Sequence, residues 1–397
     1  MLAVLCVTEI TSWGILYYAF PVLATSITAD TGWSAPTITA AFSAGQVTAG
    51  LVGIAVGRAI DRIGPRWLMT AGSVLGTTAL VVVANASSLA VFWAAWLAAG
   101  VAMSATLYPP AFAALTHWWG DRRVVALTAV TLAGGLASTV FAPLTAVLED
   151  ALGWRDTYLV LAVVLAVLTV PVHLFGLRGP WPGARAGAHA AGHAGVADAA
   201  RVTRSRSFGL LVVVMSLGAF ATFAVVFATV PLMLERGLDT RTAAIALGLG
   251  GLGQVLGRLG YGRLHAWAPN AAWRGAGVLA AAAVSIAAFS VVPGPAALLL
   301  ALGLLVGASR GLFTLLQATA VSDRWGASSY GRLNGLLGAP TLMAAAAAPW
   351  AVSALAEVMG SDSRVVALLA ATVAVAAVLM LGTTPRRSER PAETVVD

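Results

Sequence analysis

Lysine is absent, and charge of any kind is scarce. Charged residues make up 10% of the 397-residue chain, against about 25% in ordinary soluble domains. With 59% hydrophobic residues and a mean hydropathy of +0.88, that scarcity excludes a soluble monomer. A single cysteine, Cys6, excludes an internal disulfide. No Cys/His spacing reads as a metal site, so neither metal nor cofactor is expected. His189 and His193 read as solvated residues rather than ligands, because no further ligand is near them in sequence. No Walker-type phosphate loop occurs, which excludes an ATP-driven pump. No apolar segment pairs a Ser, Cys or His nucleophile with a base, which argues against an enzyme. No basic residue precedes Arg58, so the start lacks the basic region of a signal peptide. It reads as a first membrane span from which a few polar residues are expected to be missing.

What the chain has is apolar length. Uncharged or nearly uncharged runs of about 20–25 residues suffice to cross a bilayer. They predict spans over 2–27, 37–56, 67–84, 89–116, 124–148 and 156–177, then over 208–234, 242–261, 275–292, 296–321, 333–356 and 365–381. The stretch 178–207 is rich in Gly, Ala, Pro, Arg and His without apolar periodicity, and reads as a flexible linker. The expected fold is an all-α membrane protein of twelve transmembrane helices in two pseudo-symmetric halves of six. The expected units are a bundle over 1–177, a linker over 178–207, a bundle over 208–384 and a tail over 385–397. Ser34 is expected to cap the second helix, and Pro109-Pro110 to kink the fourth. The 42 glycines suit close helix contact in lipid.

Two internal checks support this plan. Landmarks recur 205–206 residues apart: Gly32 with Gly237, Gly57 with Gly262, Trp119-Gly120 with Trp325-Gly326, Pro143 with Pro349. A six-helix unit used twice explains that spacing. The arginines are also lopsided. With the N-terminus inside, 18 of 23 lie in or beside cytoplasmic loops. Arg155, Arg236, Arg241 and Arg364 lie outside, and Arg310 within a span. By the positive-inside rule this places both termini in the cytoplasm. The basic loops have anionic headgroups, not nucleic acid, as their expected partner.

The most concentrated charge lies in Gly57-Arg-Ala-Ile-Asp-Arg-Ile-Gly-Pro-Arg66, read as a turn between the second and third spans. The pattern G-x-x-x-D-R-x-G-x-R resembles the loop signature of the major facilitator superfamily, with Pro65 where that family usually has a basic residue. The resemblance implies a gating role for Gly57, Asp61, Arg62, Gly64 and Arg66. Asp61 would meet the start of the eleventh helix when the inside is shut, with Arg122 or Arg123 as further partners. A plain topological role for a basic loop is the alternative. In the second half Ala266 stands where Asp61 stands in the first, so the gating chemistry is expected to be asymmetric.

A charge inside a span costs about 2.5–3.5 kcal/mol and needs a reason. Arg310, in the middle of the tenth span, reads as an anion site, since a guanidinium matches a carboxylate bidentately. The alternative is a structural ion pair. Glu9 in the first span reads as a proton carrier, because an apolar setting disfavours a charged carboxyl. It could equally be fixed to an arginine or lie near headgroups. Arg258, in Gly257-Arg-Leu-Gly-Tyr-Gly262, is similar to the helix 8 segment of monocarboxylate and oxalate–formate transporters, where the Arg binds the substrate carboxylate. Snorkelling to the interface is the other reading. Trp13-Gly14, Gly32-Trp33-Ser34 and Gly153-Trp154-Arg155 extend that likeness, which covers all twelve spans. Tyr17, Tyr108, Gln254 and Gln317, with Trp13 and Tyr18, complete the candidate cavity residues, Tyr108 foremost. For any one aromatic, packing remains the competing role.

Together these readings describe a monomeric secondary transporter of a bacterial inner membrane, moving a small organic anion such as a monocarboxylate with protons. Export of a small neutral or amphiphilic compound is the alternative. The fifth span lacks the Gly-Pro signature of proton-coupled drug exporters, which argues mildly against that class. A transporter-like sensor is the remaining alternative.

Overall fold

The computed structural model describes residues 1–181, 201–325 and 330–385, without the side chains of Asp121, Val124 and residues 330–332. The expected linker lies largely outside the described residues, and so does the tail beyond Pro385. The twelve helices are α1 Leu2–Thr31, α2 Ala35–Ile63, α3 Pro65–Ala84, α4 Leu89–Trp119, α5 and α6 as the two arms of Val125–Gly176, α7 Arg206–Glu235, α8 Thr240–Trp267, α9 Ala271–Val291, α10 Ala296–Thr319, α11 Tyr330–Met359 and α12 Asp362–Leu381. Helicity is almost continuous between α5 and α6. Only Gly153, at φ 77°, leaves the helical region, and there the chain reverses. A lone glycine does this because it takes left-handed angles at no steric cost.

The predicted turns are therefore too long. α2 runs through Gly57, Arg58, Asp61 and Arg62, and only Gly64 (φ 76°) breaks it, so the charged stretch is mostly helix rather than hinge. α8 likewise continues past Tyr261 to Trp267. Ser34 occupies the cap of α2, but its hydroxyl pairs with Thr37 Oγ1 at 2.7 Å rather than with a backbone N–H. α4 is broken at Leu107, and Pro109-Pro110 open its second arm, where their missing N–H groups cost nothing.

One end of the bundle carries the start of α1, the residues after α6 and the end of α12. There Trp181 Nε1 donates to the Asp61 carbonyl at 3.3 Å, and Ser207 Oγ to the Thr384 carbonyl at 3.1 Å. We call this the terminal end, and its opposite the far end.

The two halves are built by the same device. In the first, Gly100 on α4 lies against the Gly45 carbonyl on α2. In the second, Gly307 on α10 lies against the Gly250 carbonyl on α8, 207 and 205 residues further on respectively. Gly253, Gly257 and Gly311 extend the second seam, each facing a backbone carbonyl where a Cβ would stand. Small residues let the backbones touch, which supplies the packing that lipid-solvated helices otherwise lack. The seam also fixes Arg258 and Arg310, which lie on these two helices. Gly307→Leu is expected to cost about 3 kcal/mol through overpacking. Gly277→Leu on α9, where a Cβ meets open space, should cost little. Thermal unfolding in detergent compares them; equal midpoints would contradict the seam.

Ends of helices are held by arginines. At the far end Arg155 donates to the Ala84 and Ala86 carbonyls at 2.8 and 3.1 Å, and pairs with Asp30 at 3.4 Å. Arg236 does the corresponding work on the Ser290 carbonyl. At the terminal end Arg274, fully buried, pairs with Asp323 and holds the Ala268 carbonyl at 2.8 Å. Beside it Arg324 binds Thr383 Oγ1 at 2.8 Å. Burial pulls the Arg324 guanidinium down to about 10, which Asp323 opposes and Arg274 reinforces. Asp323→Asn would leave Arg274 buried without a counter-charge, at an expected cost of about 3–5 kcal/mol. A melting midpoint within a degree of wild type would contradict that.

Candidate functional site

The site begins with an irregularity in α1. Residues Gly14–Tyr18 form a π turn, the rare wide turn that recurs at functional positions. Gly14 makes room for Phe141 of α5, and the turn directs Tyr17 and Tyr18 inward. Tyr18 meets Arg310 there: Nη1 donates to the Tyr18 hydroxyl at 3.1 Å. The Phe223 ring of α7 lies with its centroid 4.8 Å from the guanidinium carbon, close enough for a cation–π contact. Arg310 is only 8% exposed, and among the described residues no carboxylate pairs with it. A guanidinium has five N–H donors; the Tyr18 bond uses one. Among the described residues the alternative of a structural ion pair is therefore not formed.

Arg258 makes a second contact of the same kind. It is 7% exposed, and its Nη1 donates to the Thr131 carbonyl of α5, so it does not snorkel to the surface. Tyr108 OH reaches the same carbonyl at 3.5 Å. The Tyr108 ring packs at 5.0 Å on Trp13 and stacks at 5.1 Å on Phe112. Both arginines belong to the second half, and both are held by uncharged oxygens of the first. Each contact therefore spans the interface between the halves.

Glu9 is 0% exposed, with neither carboxyl oxygen hydrogen-bonded among the described residues. It is therefore neither fixed to an arginine nor placed among headgroups. Trp13 Nε1, one turn on, sits beside this carboxyl without closing a hydrogen bond. Tyr108 lies within electrostatic reach of both Glu9 and Arg258. Gln254, one turn from Arg258 on α8, is buried with Oε1 unpaired. Gln317 is half-buried on α10, two turns from Arg310. Buried polar atoms left unpaired are costly in a stable core, and Glu9, Trp13, Gln254 and Arg258 Nε are among those the described residues leave so.

Tyr17 does not reach Arg310 by a hydrogen bond. Its ring lies 5.5 Å from both Phe42 and Phe227, and Phe42 lies 5.3 Å from Phe227. With Phe20 stacked on Phe42 at 4.5 Å, these rings from α1, α2 and α7 form a layer on the far side of Arg310. Beyond the layer lies a cavity of about 510 Å³, of which Phe20 and Phe227 are part of the wall. The halves also touch on this side of the molecule: the Trp350 N–H of α11 donates to Ser43 Oγ of α2 at 3.1 Å, and Thr139 Oγ1 of α5 to the Gly248 carbonyl of α8 at 2.8 Å.

At the terminal end the expected gate contacts are not formed among the described residues. Asp61, Arg62, Arg122 and Arg123 are exposed, and Asp61 makes no ion pair. Arg66 Nε instead donates to the Leu174 carbonyl at 2.7 Å, and its guanidinium lies 4.7 Å over the Trp67 ring. A Cβ at Gly57 or Gly262 would meet open space. The side chains of residues 330–332, at the start of α11 where Asp61 is expected to dock, lie outside the described residues.

Of these partners, Tyr18 is only one of several candidate aromatics in the sequence, and Phe223 is one of many apolar residues of α7. The repeat of aromatics at 223 and 227, one turn apart, is the signal the sequence offers for it.

Twelve helices in two related halves, with buried charges at their interface, are the architecture of a secondary transporter. The family model of the Major Facilitator Superfamily matches residues 5–298, and the chain belongs to that family. Its long apolar helices make it a multi-pass membrane protein of that family. Among curated proteins it is 27% identical over 136 residues to the uncharacterized MFS-type transporter YcxA of Bacillus subtilis (strain 168), covering 34% of this chain and 33% of that one. It is 29% identical over 255 residues to human monocarboxylate transporter 11, covering 60% of this chain and 49% of that one. The match thus spans a third to a half of these relatives. The fold is that of a solved nucleoside transporter, NupG (TM-score 0.76, 16% identity, 97% of this chain and 99% of that one). A bacterial homologue of the human lysosomal transporter Spinster, solved inward-facing and unoccupied, is also similar (TM-score 0.70, 14% identity, 96% and 94%).

Proposed function

We propose that this transporter moves a small organic anion, a monocarboxylate, across a bacterial inner membrane together with protons. The observation that carries this reading is Arg310: a buried cation with no acidic partner among the described residues, held by a tyrosine hydroxyl of the opposite half and by the Phe223 ring. A carboxylate satisfies such a guanidinium bidentately and supplies the missing charge. Arg258 is a second cation of the same kind, and the similarity to monocarboxylate transporter 11 supports the substrate class. Glu9 is the proton carrier: a buried carboxyl near Tyr108 with no fixed partner among the described residues.

The terminal end is cytoplasmic, as the arginine bias requires. The chain works as a monomer. Residues 1–177 and 208–384 move as two units about the Arg310 and Arg258 contacts, so that the site opens alternately to each side. In the conformation described, the far side is closed by the aromatic layer. When the terminal side shuts, Asp61, Arg62 and Arg66, with Gly57 and Gly64 shaping the helix end, meet the start of α11, whose positive N-terminus favours Asp61. Tyr108, Gln254 and Gln317 orient the substrate.

Proteoliposomes with an imposed proton gradient test this. Labelled small carboxylates should accumulate, and collapse of the gradient with a protonophore should release them. Failure of a folded protein to accumulate any carboxylate would overturn the reading.

A further inference from the structure

The 510 Å³ far-end cavity differs in chemistry from the arginine site. We infer that it is a separate binding site for an apolar organic cation, and that its occupant holds the far side shut. The inference stands whatever solute Arg310 takes.

Three features of the wall agree. The body is apolar: Pro21, Pro231 and Val352 line it. Phe20 and Phe227 add aromatic carbon to it. Three of its five hydroxyl side chains are of one kind. Thr28 Oγ1 donates its hydrogen to the Ala24 carbonyl at 3.0 Å, Thr39 to Ala35 at 2.7 Å, and Ser353 to Pro349 at 3.3 Å. Each donor is spent on its own helix, so each hydroxyl offers only lone pairs to the cavity.

Two carboxylates, Glu357 and Asp362, complete the wall, and no arginine lines it. The nearest cation in sequence, Arg364, is turned to the Met359 carbonyl at 3.1 Å. Glu235, beside Asp362, spends its carboxylate on Ser361 Oγ and the Ser363 N–H at 2.8 and 2.9 Å, adding negative charge and no donor. Lone-pair acceptors and two carboxylates in an apolar wall reject an anion and fit a cation with an apolar body.

The wall is drawn from α1 and α2 of one half and α7, α11 and α12 of the other. Opening the far side must pull those helices apart. A ligand bridging them stabilises the closed arrangement by its differential affinity for it.

The probe is tetraphenylphosphonium, with tetraphenylborate as an anion of the same shape. Purified wild type in detergent should bind the cation saturably at one site and not the anion. Glu357→Gln with Asp362→Asn should weaken binding about tenfold. Ala356→Trp, which fills the cavity and keeps both carboxylates, should abolish it. Unchanged melting of either variant guards against misfolding. The cation should also inhibit carboxylate uptake when added from the far side only. Equal binding of both ions, or undiminished binding in both variants, would overturn the inference.

Discussion

Arg310→Ala is expected to abolish carboxylate uptake while leaving the protein folded. Truncation of Arg310 removes one hydrogen bond and two ring contacts, from a site that already borders a small cavity of about 30 Å³, so the structural cost is modest. The functional cost is not. Removing one member of a buried, hydrogen-bonded charge pair costs about 3 kcal/mol, on the order of 100-fold in affinity. Arg310→Lys separates charge from geometry. It keeps the cation but replaces a planar fork by a point charge, so it should retain weak transport with a raised KM. If both variants transport like wild type, Arg310 is not the anion site. If Ala is inactive and Lys equals wild type, only charge matters and the bidentate geometry is wrong. Tyr18→Phe is a milder companion: it frees the guanidinium without removing it.

Glu9→Gln is expected to uncouple transport from the proton gradient. The amide fills the same volume as the neutral acid and cannot release a proton. Uphill accumulation should vanish, whereas exchange of labelled for unlabelled carboxylate, which needs no net proton movement, should continue within about threefold of wild type. That split is the diagnostic, because a merely misfolded variant loses both. Its physical basis is position. Glu9 lies near Tyr108, whose hydroxyl shares the Thr131 carbonyl with Arg258. A negative charge appearing on Glu9 competes with the substrate for the arginines across a water-poor interior, where charges act at long range. Gradient-driven accumulation at the wild-type level in Glu9→Gln would show that another group carries the proton.

The number and order of the spans were legible because the membrane imposes a length and an apolar composition on each helix. The duplication was legible too. Gly32 and Gly237, matched in sequence, both take positive φ at helix ends, at 71° and 77°. Helix ends were not, since a polar helix can project beyond the apolar layer. The residues Gly57 to Arg62 continue α2, and one glycine at 64 replaces the hinge. Buried charge was visible as chemistry out of place, which is why Arg310, Arg258 and Glu9 could be picked from sequence alone. Their partners could not. Arg310 meets Tyr18 across 292 positions and Arg258 meets Thr131 across 127, contacts that only the packing of the halves creates. Nor did composition separate Arg274 from other loop arginines, although it is fully buried against Asp323. The π turn that sets Tyr17 and Tyr18 has no sequence signature beyond Gly14.

The central claim is that a carboxylate occupies Arg310, and equilibrium binding tests it without any assumption about coupling or direction. Titration of a small carboxylate into purified wild type and Arg310→Ala, followed by calorimetry, is the measurement. One-site binding by wild type, lost in the folded variant, is the predicted result. Binding of equal strength to both proteins would place the anion elsewhere and contradict the account.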